Sequence, residues 1–284
     1  MTNLVLDHVS VRIGGRPIVD DVTLDAASGR VTAIIGPNGA GKSTLLGAAA
    51  GHHRPHSGRV LLAGRELGRI PVREAARMRA VMAQDSAVAF PFTVREVVAL
   101  GRTAWPSDPA ADDRIVAGAL EQVGLVHLAE REITTLSGGE RQLAALARVI
   151  AQATPVGSES VILLDEPTAA MDVAHAEATL GLLRALAAAG AAVVVVLHDL
   201  DAAAAYADRL ALVQHGRIRL TGAVDEVCTA ELLSEAYRTP IEVFEYGGRL
   251  RVAPARGASV VSATGFSDLS SRELQVGSPS GRRN

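Results

Sequence analysis

The stretch Gly36-Pro37-Asn38-Gly39-Ala40-Gly41-Lys42-Ser43-Thr44 follows the pattern G-x-x-x-x-G-K-[ST]. The β-branched run Val31–Ile35 before it predicts a buried strand, and Leu45–Ala50 after it predicts a continuing helix. A strand, a glycine-rich loop and a helix in this order form a phosphate-binding P-loop. The sequence therefore predicts a nucleoside phosphate site at this loop.

The residue types of the loop suit phosphate groups. Gly36, Gly39 and Gly41 allow the backbone N–H groups to point into one concavity, and the helix start adds free donors. We expect Lys42 to lie near the β- and γ-phosphates of the nucleotide, and the Ser43 hydroxyl to bind Mg²⁺.

Composition and charge limit the classes of partner. The 284 residues include 28 basic and 31 acidic side chains, for a net charge of −3, and 3% aromatic residues. This balance gives no reason to expect nucleic acid as a ligand. A single cysteine, Cys228, excludes an internal disulfide and indicates a reducing compartment. We expect no cleaved signal peptide, and the longest apolar run, Ala185–Leu197, is shorter than a membrane span.

Alternating strand and helix patterns predict an α/β fold. Leu4–Val11 and Pro17–Leu24 predict an antiparallel hairpin before the P-loop strand, while Val161–Leu164 and Ala192–Leu197 predict buried parallel strands. A block of about residues 85–153 has helical patterns throughout, so the fold should contain an inserted α-helical subdomain.

The helical block includes Leu125–Glu130, which the pattern assigns to a helix. The chain from Arg256 to Asn284 is rich in Ser, Gly, Arg and Pro, which is typical of a disordered tail. We therefore expect one domain over residues 1–255 and a tail over 256–284.

Two helix starts in this block match the capping-box pattern. Thr93 precedes Glu96 by three residues, and Ser137 precedes Glu140 by three. By itself the second pattern predicts only a helix start. The run Ser137-Gly138-Gly139 is also suited to bind an anion at the helix N-terminus.

The predicted strand Val161–Asp165 ends in a carboxylate, Asp165, and a second carboxylate, Glu166, follows it. A strand-end Asp beside a P-loop can hold Mg²⁺ through water, which assigns this role to Asp165. Glu166 follows it toward the place of an attacking water, which a carboxylate can orient and polarise. An ordinary helix cap is the alternative interpretation of the strand-end Asp.

The motifs together resemble those of the ATP-binding-cassette (ABC) ATPases over about residues 2–240. The matching segments, in the family's order, are Gly36–Thr44, Gln84, Leu136–Gln142, Leu163–Thr168, Ala170-Met171-Asp172 and His198. The resemblance implies a P-loop NTPase core with an antiparallel β subdomain and the inserted helical subdomain. It also implies ATP and Mg²⁺ as ligands.

The resemblance implies roles for single residues. Gln84 would touch Mg²⁺ or its water, and His198 would contact the γ-phosphate of ATP. The signature residues, Ser137, Gly138, Gly139 and Glu140, would bind the γ-phosphate of ATP held by the opposite subunit of a homodimer. Ala170-Met171-Asp172 would cross the dimer interface. An aromatic residue for adenine is expected near position 13, where this chain has Arg12 and Ile13.

The segment Gln84–Arg102 is similar to the importer branch that handles iron–siderophores, cobalamin and haem. The segments Ala153–Ser160, Tyr206–Arg209 and Glu231–Tyr237 are similar to those of haem-importer ATPases, and this resemblance favours haem over a siderophore, with cobalamin as a further alternative. The resemblance implies a permease dimer, a periplasmic or surface substrate-binding protein, and a peripheral ATPase on the cytoplasmic face of the inner membrane. A soluble cassette acting on ribosomes or DNA and a non-catalytic binding module are the other classes.

Overall fold

The structure, a computed structural model, describes residues 2–83 and 90–256. One compact unit extends to Pro254, and of the second, residues 255–284, only Ala255 and Arg256 are described. The predicted tail otherwise lies outside the described residues. The strands are β1 Thr2–Ile13, β2 Arg16–Ala27, β3 Val31–Ile35, β4 Ser57–Leu62, β5 Arg65–Glu66, β6 Arg79–Met82, β7 Val161–Asp165, β8 Ala192–Val196, β9 Arg209–Gln214, β10 Arg217–Ala223, β11 Ile241–Tyr246 and β12 Arg249–Pro254.

Helices alternate with these strands along the chain. They are α1 Lys42–Ala49, α2 Val72–Met78, α3 Val94–Ala99, α4 Pro109–Gln122, α5 Gly138–Ala153, α6 Val173–Ala188, α7 Leu200–Tyr206, α8 Val224–Val227 and α9 Ala230–Tyr237. In the described part of the chain, none of them combines the length and the apolar character that a bilayer span requires. The mixed α/β architecture agrees with the predicted fold class.

The central sheet has six strands in the order β10-β9-β3-β8-β7-β6. All neighbouring pairs are parallel except β10 and β9. Every residue of β3, β7 and β8 is buried, as their unbroken apolar runs predict for strands covered on both faces. The carboxyl ends of β3 and β7 therefore reach the same edge of the sheet. The P-loop follows β3 there, and Asp165 is the last residue of β7.

A second sheet, in the order β2-β1-β4-β5, is antiparallel and contains the predicted hairpin. Its inner face shares one hydrophobic cluster with α1 and the central sheet, in which Leu6, Leu45 and Val194 are all buried. Helix α1 is thus packed between the two sheets, and this packing holds the P-loop at the edge of the central sheet.

The described chain between β6 and β7, from residue 90 on, contains helices α3, α4 and α5, which pack on one another. Thr93 caps α3 with the predicted capping box. The helix predicted over Leu125–Glu130 is wrong: the structure has only a 3-10 turn at Val126–Leu128. Gly124 has a φ of +75° there, which breaks the helical path after α4.

Sequence analysis predicted neither α8 nor the C-terminal hairpin of β11 and β12. The hairpin strands alternate weakly and leave Phe244 and Tyr246 exposed, so their pattern is poor. The hairpin is nevertheless tied to α7, because the backbone N–H of Val252 donates to the Asp201 carboxylate at 3.0 Å. Contacts between residues distant in sequence therefore determine where the hairpin of β11 and β12 forms.

Candidate nucleotide site

The P-loop connects β3 to α1 and encloses the Lys42 side chain. The Lys42 ammonium donates to the carbonyl oxygens of Gly36 at 2.8 Å and of Pro37 at 3.1 Å. Lys42 is 5% exposed, and this burial lowers the pKa of its ammonium, against the opposing charges of Glu166 and Asp165. A buried cation that is bound by neutral backbone carbonyls suits a polyanionic ligand.

Glycine is required at two positions of the loop by close backbone contacts. A Cβ atom on Gly36, whose φ is +148°, would lie 2.1 Å from the Val213 carbonyl oxygen. A Cβ atom on Gly41, whose φ is +100°, would lie 2.8 Å from the Ile18 carbonyl oxygen. Gly41 is also the N-cap of α1 and provides no side-chain cap. The first N–H groups of α1 thus have no side-chain acceptor at the cap, as a phosphate site needs.

Asp165, at the end of β7, meets the P-loop through Ser43. The Ser43 hydroxyl donates to the Asp165 carboxylate at 3.2 Å. Burial raises the pKa of Asp165, although the hydrogen bond from Ser43 opposes this shift. A hydroxyl and a buried carboxylate are oxygen donors of the kind that Mg²⁺ prefers, so these two residues fit the predicted metal site.

Glu166 and His198 follow neighbouring strands and are hydrogen-bonded to each other, the Glu166 carboxylate to the His198 Nε2 atom. Glu166 has a φ of +51°, a left-handed conformation that is rare for a side chain of this size. Its N–H donates to the Val196 carbonyl at 3.2 Å, and its carbonyl accepts from the Gln142 side chain at 2.6 Å and from the Ala169 N–H at 3.2 Å. These contacts hold the strained residue beside His198.

The signature residues begin α5 and lie against another loop. Ser137 and Glu140 form the predicted capping box, with the Ser137 N–H donating to the Glu140 carboxylate at 2.7 Å. A Cβ atom on Gly139 would lie 3.0 Å from the Ala170 carbonyl oxygen, so this position also favours glycine.

A cleft of about 690 Å³ opens at this place. Among the described residues its walls contain the signature residues, Ala170, Met171 and Asp172, and no residue of Gly36–Thr44. Asp172 caps α6 by accepting from the His175 N–H at 2.9 Å. The signature and the P-loop of one chain therefore do not line this cleft together.

Two predictions about the nucleotide site need separate comment. One concerns a residue outside the described part of the chain, and the other concerns the aromatic residue expected near position 13. Gln84 lies outside the described residues, so its predicted contact stays a prediction. Arg12 and Ile13 end β1, and Ile13 is 46% exposed, so an aliphatic surface is available where an aromatic residue was expected.

Two residues that the predictions did not assign to the site are in contact with it. Gln142 holds the Glu166 carbonyl, and the Tyr237 hydroxyl accepts from the Gly36 N–H at 2.8 Å. Gln142 lies two residues after Glu140, and this closeness to the signature residues is a signal in the sequence for its place at the site. Tyr237 lies 201 positions from Gly36, and no local pattern indicates that contact.

The chain is similar to known proteins over most of its length. Residues 19–169 match the family model described as ABC transporter. The chain is 46% identical, over 90% of its length and 84% of the relative's, to the hemin import ATP-binding protein HmuV of Rhodococcus jostii. It is 48% identical to the protein of the same name from Streptomyces coelicolor, over 87% of this chain and 88% of that one.

Solved structures give the same result. A chain of an ABC transporter in an inward-facing conformation superposes with a TM-score of 0.74 at 27% identity, covering 90% of this chain and 99% of that one. A nucleotide-free ATP-binding cassette from an ABC transporter superposes with a TM-score of 0.68 at 25% identity, covering 83% and 95%. The chain belongs to the ABC transporter family. Within this family it is an ATP-binding ATPase that couples hydrolysis to transport.

Proposed function

We propose that this chain is the ATP-hydrolysing subunit of a haem importer. The relatives that support haem as the cargo carry the name hemin import ATP-binding protein and are 41–48% identical to this chain. The proposal includes one ATPase domain over residues 1–255 and a tail over residues 256–284. Import of an iron–siderophore or cobalamin is the alternative that the transport experiment below distinguishes.

The proposed mechanism rests on the separation of the P-loop from the signature residues within one chain. The signature residues face a cleft that no P-loop residue lines, while Lys42, Ser43 and Asp165 lie together on the other segment. A site that needs both segments is completed when two copies associate head to tail. Each copy then supplies its signature residues to the ATP on the P-loop of its partner.

The P-loop binds the ATP phosphates in this proposal. Its backbone N–H groups and the Lys42 ammonium, which the Gly36 and Pro37 carbonyls hold within the loop, neutralise the charge of the β- and γ-phosphates. Ser43 and Asp165, with Gln84, would hold Mg²⁺. When bound, this ion neutralises charge that develops on the phosphate oxygens.

Glu166 and His198 act where the γ-phosphate is cleaved. Glu166 orients and polarises the attacking water, and the strained backbone held by Gln142 and Val196 keeps its carboxylate in place. In this proposal His198, whose Nε2 atom is hydrogen-bonded to that carboxylate, contacts the γ-phosphate of bound ATP. Closure of the dimer on ATP, followed by hydrolysis and phosphate release, drives the transport cycle.

The remaining partners follow from the importer role. A permease dimer binds two copies of the chain at the cytoplasmic face of the inner membrane, which makes the ATPase a peripheral subunit. A periplasmic or surface substrate-binding protein delivers the cargo to that permease. Nucleic acid has no part in the proposal.

The composite site is tested with the variant Glu166→Gln. We expect ATP turnover to fall by a factor of about 10²–10⁴ while ATP binding is retained, so that ATP traps a dimer. Adding Ser137→Arg should abolish the trapped dimer and leave ATP binding by the monomer unchanged. Light scattering after size exclusion, with equilibrium dialysis of ATP, measures both.

The matched control is Glu166→Gln with Thr93→Arg, because Thr93 forms the same capping box at α3. This control should still form the trapped dimer. Loss of ATP binding by the monomer upon Ser137→Arg would place the signature in its own chain's site and contradict the proposal, as would full turnover by Glu166→Gln.

The cargo is tested by purifying the chain from membranes with its permease and reconstituting both in vesicles. We expect ATP-dependent uptake of haem that the Glu166→Gln variant lacks. Uptake of an iron–siderophore or of cobalamin in place of haem would support the alternative cargo.

A further inference from the structure

Helix α9 contacts the first residue of the P-loop. The Gly36 N–H donates a hydrogen bond of 2.8 Å to the hydroxyl oxygen of Tyr237, the last residue of α9. Buried Leu233 and Ala236 anchor this helix in the core. Burial raises the pKa of Tyr237 to about 12, so its hydroxyl is neutral throughout the physiological pH range.

Gly36 is held from three sides. Its N–H bonds to Tyr237, its carbonyl accepts from the Lys42 ammonium at 2.8 Å, and its α-carbon packs against β9. The packing is close, since a Cβ atom there would lie 2.1 Å from the Val213 carbonyl oxygen. A displacement of Gly36 would therefore also displace an acceptor that holds Lys42.

We propose that Tyr237 is a positioning residue for the nucleotide site: its hydroxyl holds Gly36, and through Gly36 the Lys42 ammonium, in the geometry that receives the phosphates of ATP. The inference rests on the proposed function of the P-loop. It gives the C-terminal segment, which the catalytic scheme does not otherwise use, a direct part in ATP binding.

The variant Tyr237→Phe removes this one hydroxyl and keeps the ring that packs against the hydrophobic core. The Gly36 N–H then loses its acceptor, and the start of the loop becomes less ordered. We expect the Kd for MgATP to rise by a factor of about 3–10, the range that one lost hydrogen bond produces. Because Tyr237 acts on binding, KM should rise while kcat stays within about a factor of two.

Two control variants make the same chemical change elsewhere. Tyr206→Phe removes a hydroxyl that donates to Glu177 at 2.5 Å, and Tyr246→Phe removes a hydroxyl from a side chain that is 74% exposed. Neither should change the Kd for MgATP. The full-length chain is used for all variants, with binding measured by calorimetry well below the melting temperature.

A second measurement tests the contact without ATP. Hydrogen exchange should show the Gly36 amide protected in the wild-type chain, faster to exchange in Tyr237→Phe and unchanged in Tyr206→Phe. A rapidly exchanging Gly36 amide in the wild type would overturn the inference. An unchanged Kd for Tyr237→Phe would also overturn it, whether or not the melting temperature falls. Failure of the wild type to bind ATP would instead refute the proposed function.

Discussion

Helices α1 and α5 both begin at glycine-containing segments that suit phosphate, but different groups accept the hydrogen bonds of their first N–H donors. At α1, Gly41 provides no side-chain cap, and the Lys42 cation lies beside the free donors. At α5, the Ser137 and Glu140 side chains form a complete capping box, which uses a donor and adds a negative charge. The α1 start thus has no side-chain cap beside its cation, whereas one N–H of the α5 start is already bonded to the Ser137 side chain.

Helix α3 provides an internal reference for this comparison. Its start has the same capping box, formed by Thr93 and Glu96, and it has no role in the proposed mechanism. A capping box therefore does not by itself indicate function. What distinguishes α5 is its setting, because Gly139 and Gly138 lie directly against Ala170 at the cleft.

The largest expected effect is at the α1 start. Lys42→Ala removes the one cation enclosed by the P-loop, so we expect the Kd for ATP to rise by a factor of about 100, as for the loss of charge-assisted hydrogen bonds. Arg54→Ala, which removes an exposed cation after α1, is the charge-matched control and should leave the Kd unchanged. Equal affinity of the Lys42→Ala variant and the wild type would show that α1 is not the phosphate site.

The next effect separates the two capped helices. Ser137→Ala and Thr93→Ala should each lower the free energy of unfolding by about 1 kcal/mol, because each removes an N-cap acceptor. Only Ser137→Ala should also lower ATP turnover by the dimer. Urea unfolding and an ATPase assay measure the two quantities. Similar turnover in both variants would remove the functional distinction between α5 and α3.

The two capping boxes should have the same dependence on pH. Hydrogen bonds from Ser137 hold the pKa of Glu140 below its usual value, and those from Thr93 do the same for Glu96. The charge of each carboxylate therefore stabilises the fold above its unfolded pKa of about 4.3, and this contribution is lost as the pH falls through the lower folded pKa.

Glu140→Gln and Glu96→Gln test this dependence. Each variant should be less stable than the wild type at pH 7, and the difference should shrink as the pH falls below about 4.3. Urea unfolding across this pH range measures the difference. If the difference in the free energy of unfolding increased as the pH falls, the charged carboxylates would not be the stabilising form.

The smallest effect concerns two helix glycines. A Cβ atom added at Gly118, in α4, would meet no atom within 4 Å. Gly118→Ala should therefore stabilise the fold by about 0.5–1 kcal/mol through helix propensity. Gly139→Ala should lack this gain, because its Cβ atom would lie 3.0 Å from the Ala170 carbonyl oxygen. Thermal unfolding of both variants measures the difference. Equal stabilisation would mean that Ala170 moves away without cost.

Much of the fold follows from local pattern. The buried strands β3, β7 and β8, the N-terminal hairpin and both capping boxes lie where the residue patterns place them. These elements are specified by unbroken apolar runs, by alternation, and by side chains that bond to backbone within three residues. The turn at Val126–Leu128 and the hairpin of β11 and β12 were not predicted, since glycine conformation and contacts distant in sequence decide them.

The P-loop, the strand-end carboxylates and the family are evident from the amino-acid sequence, because each depends on residue types at short, fixed spacing. The pairing of distant groups is evident from the folded chain alone: Glu166 with His198, Gln142 with the Glu166 backbone, and Tyr237 with Gly36. The physical reason is distance along the chain. Contacts between residues 24 to 201 positions apart depend on how the sheet and helices pack, which no local pattern encodes.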